Sequence, residues 1–233
     1  MEKRINWISV LVFYVISLAI AWAALDYFRG SIWSGLKGLG PFIGGLVVLA
    51  IWKKEDRLFS IWGNKPSKTL IGLLIPLGLA FIIGIRQTDF FDNIHINGLA
   101  MAALGLAYAF AEEYGWRGYL QEALLPLGLK ASAMIIGVMW YCWHFTWLSP
   151  NTNFTNELSF LALCLFGSWG MAVTAMKTKS ILLPACLHFV FNLFGVLQFK
   201  SIELVIPIVS VMAWVYLVQY WEKPIAEELL AQD

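Results

Sequence analysis

Charge is what this chain has least of. Asp, Glu, Lys and Arg make up only 13% of its 233 residues, against about 25% in an average soluble domain. The 60% apolar content is more than a soluble core of this length can bury. Sixteen basic and fifteen acidic residues give a net charge of +1. That near-balance leaves no basic surface for nucleic acid and no long charged tail. Cysteine is also scarce. Cys142, Cys164 and Cys186 are odd in number, lie inside apolar runs and show no CxxC spacing, which excludes a disulfide framework and a zinc knuckle. There is no HExxH, and no polar/apolar alternation of the kind a β-barrel needs. No internal repeat or low-complexity linker divides the chain. Residues 1–233 therefore read as a single integral membrane domain, with a motif-bearing core at 98–199.

What the chain has instead is a series of apolar runs. They fall near Asn6–Leu25, Leu36–Trp52, Lys68–Ile85, Gly98–Leu125, Ala131–Leu148, Leu158–Met176, Ile181–Phe199 and Ile202–Tyr220. About twenty apolar residues cross a hydrocarbon core of about 30 Å. The fold class is therefore all-α, a polytopic transmembrane helical bundle of about eight spans. Only Lys200, Ser201 and Glu203 carry polarity between the last two runs, so a seven-span version stays open. The first run follows Lys3 and Arg4 and lacks a small-x-small cleavage site, so it is a span and not a signal peptide. With the N-terminus inside, the cytoplasmic segments hold eleven Lys and Arg, and the outer segments hold Arg29, Lys37, Arg86 and Lys200. That bias predicts two cytoplasmic termini. Trp33, Trp52, Trp62, Trp147 and Trp221 fall near span ends, as interfacial aromatics do. Asp89 to His95 reads as an outer loop or a short interfacial piece, Pro150 to Asn156 as a polar outer turn, and the stretch after Trp221 as a short charged tail.

Against this background three polar clusters stand out. The first is Glu112, Glu113 and Arg117; the second is Trp140-Tyr141-Cys142-Trp143-His144; the third runs from His188 to Asn192. Ionisable residues inside a span are functional-site candidates by default. Glu113 and Arg117 are four residues apart, which suits an ion pair. His188 and Asn192 have the same spacing and share a helix face. At about 1.5 Å per residue, a span entered at Gly98 carries Glu112 roughly 21 Å inward. His144 and His188 reach comparable depths from the other side. The three clusters can thus meet in one polar chamber in the cytoplasmic half of the bilayer.

Such a chamber holds the parts for hydrolysis without a nucleophilic side chain. A carboxylate and an imidazole sharing a water form a general-base unit. A second imidazole with an amide one turn on can donate two hydrogen bonds to a developing oxyanion. Two histidines and a glutamate could also bind zinc with an open position, but the histidines sit on different helices, and no cofactor is expected.

In order and spacing, Glu112-Glu113-x-x-x-Arg117, Trp140-x-x-x-His144 and His188-x-x-x-Asn192 resemble the three motifs of the type II CAAX prenyl endopeptidases. These belong to the CAAX protease and bacteriocin-processing superfamily, also called Abi. The family usually has Phe where this chain has Trp140, and that aromatic is expected to be packing. The resemblance implies a metal-free glutamate intramembrane protease. By it, Glu112 and His144 activate water, His188 and Asn192 form the oxyanion hole, and Glu113 and Arg117 support the first helix. The implied partners are the lipid bilayer and a peptide or lipidated protein substrate of the prenylated CAAX kind, with the active site facing the cytoplasmic half of the bilayer.

Bland readings compete with each cluster. Glu112 and Arg117 can be a packing ion pair, His144 a satisfied core histidine, and His188 with Asn192 interhelical hydrogen-bond glue. At the level of function, the alternatives are a non-catalytic membrane immunity or peptide-binding protein of the same family, and a small transporter using Glu112 and His144 as a proton relay. The transporter predicts an inverted repeat, and the sequence has none.

Overall fold

A computed structural model describes residues 4–28, 32–52, 56–86, 91–149, 151–197 and 202–221. Its main helices are α1 (Trp7–Tyr27), α2 (Leu39–Ile51), α3 (Pro66–Ile83), α4 (Ile94–Gly115), α5 (Leu129–Trp143), α6 (Phe154–Thr178), α7 (Leu182–Val196) and α8 (Val205–Gln219). Each coincides with one of the eight apolar runs. Five segments are long and apolar enough to cross a membrane: Trp7–Tyr27, Pro66–Ile83, Ile94–Leu127, Phe154–Thr178 and Ile202–Gln219. Gly35–Ile51 and Leu182–Gly195 are shorter apolar helices. The chain is an integral, multi-pass, all-helical membrane protein. Outside its helices, the described residues pair only through isolated bridges from Ser60 and Trp62 to Ser180. Those bridges staple the α2–α3 connection to the α6–α7 turn. The charged tail after Trp221 lies outside the described residues.

α1 shows the packing logic. Its N-cap is Asn6, whose side chain accepts from the Ser9 amide at 3.1 Å. Ser9, Val10, Phe13, Ser17, Ala21 and Ala24 are buried, a stripe at three- and four-residue spacing made mostly of small side chains. Trp7, Ile8, Leu11, Val15 and Trp22 point outward. Lipid is as apolar as leucine, so burial alone cannot drive helices together; close backbone approach can. α2 takes up that approach. A Cβ at Gly40 would meet the Ser17 carbonyl oxygen at 2.5 Å. α5 is tied to the same helix by Tyr14 Oη donating to the Met139 carbonyl (3.0 Å) and Trp143 Nε1 to that of Ser17 (3.2 Å).

α4 is the central element and packs against α2, α3 and α7. It begins at Ile94, capped by Asn93, whose side chain accepts from the His95 and Ile96 amides. The helix thus starts four residues before the expected Gly98. His95 lies in its first turn, exposed, with Nδ1 on the Phe81 carbonyl at 2.8 Å, and not in a loop as expected. At the other end α4 runs without a break into a π turn, Trp116–Gln121, and then through Glu122–Leu124 to a 3₁₀ turn at Leu125–Leu127. Gly115 sits at the junction because α2 crosses there: a Cβ on it would lie 2.2 Å from the Pro41 carbonyl oxygen. One apolar cluster, around Phe13, Trp116, Trp143 and Met171, lies on one side of this long helix. Another, around Ala102, Leu106, Phe189 and Trp214, lies on the other.

Candidate active site

Four polar side chains on the α4 segment, Glu112, Glu113, Arg117 and Gln121, are completely buried. Glu113 and Arg117 form the predicted ion pair: Arg117 Nη1 is 3.0 Å from Oε1 and 2.9 Å from Oε2. Arg117 Nη2 also reaches the Ser168 carbonyl at 3.4 Å, and Gln121 Nε2 donates to that of Ala172 at 3.1 Å. Donors four apart on the π turn thus meet acceptors four apart on α6. Single π turns inside α-helices concentrate at functional sites. This one lets Arg117 and Gln121 face α6 while Glu112 and Glu113 face α5 and α7.

The third cluster comes in from α7. His188 Nδ1 is hydrogen-bonded to Glu113 Oε1 at 2.9 Å. A carboxylate can only accept, so Nδ1 carries the hydrogen. The other ring nitrogen, Nε2, lies 4.0 Å from Glu112 Oε2. His188 therefore spans the two adjacent glutamates. Asn192, one turn on, is exposed, and among the described residues none of the buried polar groups is hydrogen-bonded to it.

Trp140 joins the second cluster to the first. Its Nε1–H donates to Glu112 Oε2 at 3.0 Å. Its ring lies edge-on to His188 at 4.9 Å and to His144 at 5.5 Å between centroids, and the Arg117 guanidinium is 5.8 Å from its centroid. The expectation that this aromatic only packs is corrected: indole has a donor that phenyl lacks, and here that donor holds the site carboxylate.

His144 caps α5 and is not inside a longer span. Its Nδ1 takes the Trp140 carbonyl at 2.8 Å, and its backbone amide bonds instead to the Tyr141 carbonyl at 3.1 Å. The ring thus captures an acceptor that the next helical turn would have used. Phe145 then turns left-handed, with φ at 56°, and the helix ends. With Nδ1 donating to a carbonyl, neutral His144 presents Nε2 as a base. Trp143 and Phe160 hold the ring edge-on, each at 5.0 Å. The turn beyond is fixed by Glu157, whose carboxylate accepts from Tyr141 Oη (2.8 Å), Thr146 Oγ1 (2.9 Å) and Thr152 Oγ1.

The structure therefore brings Glu112, Glu113, Arg117 and His188 together directly and places His144 beside them across Trp140, close enough to interact electrostatically with Glu112. It leaves Asn192 at the edge. No donor meets buried Glu112 Oε1 in ordinary hydrogen-bond geometry, but Tyr108, one turn earlier, faces the same carboxylate closely enough to interact with it. Sequence reasoning missed Tyr108, Glu157, and Lys37, which lies 5.4 Å from the Trp143 ring centroid. Periodicity could have flagged Tyr108, on the Glu112 face four residues back; nothing local marks the other two.

Residues 95–194, which carry all three motifs, match the model of a family described as type II CAAX prenyl endopeptidase Rce1-like. The motif-bearing part of this chain belongs to the Rce1-like family. The match begins in the first turn of α4 and ends within α7, so it takes in every residue of the buried cluster. The family is one of membrane proteases, and the match supports a CAAX-type protease function in general. No curated protein matches the chain.

Proposed function

We propose that the chain hydrolyses a peptide bond near the C-terminus of a membrane-associated, prenylated CAAX-like peptide or protein, using a water held between Glu112 and His144. One observation carries this reading. Glu112 is a fully buried carboxylate with one oxygen fixed by Trp140 and the other, on a group that Tyr108 faces, without a hydrogen bond of ordinary geometry. A buried acceptor without a donor is costly unless something fills it, and a water to be deprotonated would fill it.

In the proposed step, the Glu112 carboxylate takes a proton from water while His144 Nε2 orients it, and the oxygen attacks the scissile carbonyl carbon. The carbonyl π bond breaks and its electrons become an oxyanion. His188, its Nδ1–H anchored on Glu113, offers Nε2–H to that oxyanion when doubly protonated, and Asn192 supplies a second donor as the peptide arrives. With Arg117 and a cationic His188 against two carboxylates, the cluster is then neutral. Collapse of the tetrahedral intermediate expels the amine, which receives the proton held by Glu112. No metal enters this scheme. The Nδ1 atoms of both histidines and one Glu112 oxygen already have partners. Among the described residues, no three His, Cys, Asp or Glu side chains converge as a ligand set. The excess of Lys and Arg in the proposed inner segments supports a site opening toward the cytoplasmic half of the bilayer.

The test is cleavage of a prenyl-cysteine peptide by purified protein. Glu112→Gln and His144→Ala are expected to lower turnover by at least about 100-fold, with melting close to wild type. Full cleavage by Glu112→Gln would sink the reading and leave the peptide-binding alternative in its place.

A further inference from the structure

Lys37 is a cation that the proposed hydrolysis does not use. It lies in a 3₁₀ segment, Ile32–Gly38, between α1 and α2. That segment runs back alongside α1, so that α2 begins level with Ser17 and not with Tyr27. Gly38 rests on the Tyr108 ring, one turn from Glu112. The retreat carries Lys37 down to the level of the buried cluster, where its ammonium sits 5.4 Å from the Trp143 ring centroid. It is half-buried, and among the described residues no carboxylate forms an ion pair with it. It is nonetheless within electrostatic reach of Glu112 and His144.

An ammonium held at such depth with only an aromatic face beside it is a site for an anion that arrives from elsewhere. Distance narrows the choice. The Trp143 ring is 5.0 Å from the His144 ring, so the Lys37 ammonium lies no more than about 10 Å from His144. An extended chain covers at most about 3.3–3.6 Å per residue. About three extended residues are therefore enough to reach from a bond cleaved at His144 to an anion on Lys37. The one anion that every peptide carries at a fixed place is its terminal carboxylate.

We infer that Lys37 receives the free C-terminal carboxylate of the substrate and so sets how many residues leave. The inference rests on the proposed protease reading, and the experiment keeps the two apart. Wild-type and Lys37→Met proteins are given a prenyl-cysteine peptide ending in three further residues, as the free acid and as the C-terminal amide. Cleavage is followed, and binding is measured separately by fluorescence anisotropy on the Glu112→Gln background. Wild type is expected to prefer the acid by about 10- to 100-fold, the usual worth of a hydrogen bond to a charged group. Lys37→Met should lose that preference, its loss falling far more on the acid than on the amide, and Lys37→Arg should keep most of it. Equal cleavage of acid and amide by wild type overturns the inference and leaves the protease reading intact; this arm holds even if Lys37→Met fails to fold. Equal losses on both peptides in a folded Lys37→Met overturn it too, since Lys37 would then act through Glu112. Binding that prefers the acid through Lys37, without cleavage, sustains the carboxylate site but removes the protease reading and with it any control over how many residues leave.

Discussion

Glu112 and Glu113 are neighbours in the chain, equally buried, yet they stand in opposite circumstances. Glu113 is clamped: Arg117 lies against both of its oxygens as an ion pair and His188 Nδ1 is bonded to one. Glu112 has one indole donor and one oxygen without a hydrogen bond of ordinary geometry. A carboxylate clamped by a fixed cation can hold helices in place, and the cation competes with any proton it might take. A carboxylate half-used can take a proton. Two adjacent glutamates at the end of an apolar helix thus divide into a fastener and a base, and the division is made by which neighbouring helix each one meets.

The contrast can be broken experimentally, beginning with the largest effect. Beyond the collapse in turnover expected of Glu112→Gln, Glu113→Gln should behave differently in kind. Breaking a buried pair leaves the Arg117 charge uncompensated and costs about 3–5 kcal/mol. Thermal unfolding in detergent should register that loss in Glu113→Gln and not in Glu112→Gln; equal melting of the two variants would erase the distinction. Trp140→Phe comes next. It keeps the aromatic wall and removes only the donor to Glu112, so turnover should fall about tenfold, in line with one hydrogen bond to a charged group. A loss as deep as that of Glu112→Gln would mean the indole does more than hold the carboxylate. Glu157→Gln should be mildest. The turn after His144 keeps some of its hydrogen bonds, and a few-fold fall in kcat with KM unchanged is expected. A shift in KM alone would place Glu157 outside the positioning of His144.

Much of this was legible in the chain. The eight apolar runs became the eight main helices because a long uncharged stretch has few alternatives to a helix in lipid. The Glu113–Arg117 pair followed from four-residue spacing. The convergence of Glu112, Glu113, Arg117 and His188 followed from three polar interruptions at compatible depths. Other features depend on contacts that no local pattern encodes. The donor role of Trp140 needs α5 to face α4 at one particular height. The end of α5 at His144 needs a side chain to win a carbonyl from the backbone. Asn192 shares a face with His188, but spacing gives an angle on the helix and says nothing about what covers it. Lys37 was read as an outer-segment charge, and only the backward course of its 3₁₀ segment brings it to the cluster.

The inverted packing of α1 bears on how such a chain can change over time. Its large outward residues are mostly exposed, and apart from Trp22, which meets the Phe145 ring edge-on at 5.4 Å, one apolar side chain there can replace another at little cost. Its inward stripe has less latitude where Ser17 meets Gly40 and Gly44 of α2, because added bulk there would push the two helices apart. Mutational drift should therefore run fastest on the bulkiest, most hydrophobic positions of this helix and slowest on its smallest. That reverses the order familiar from water-soluble proteins, where large core residues change least.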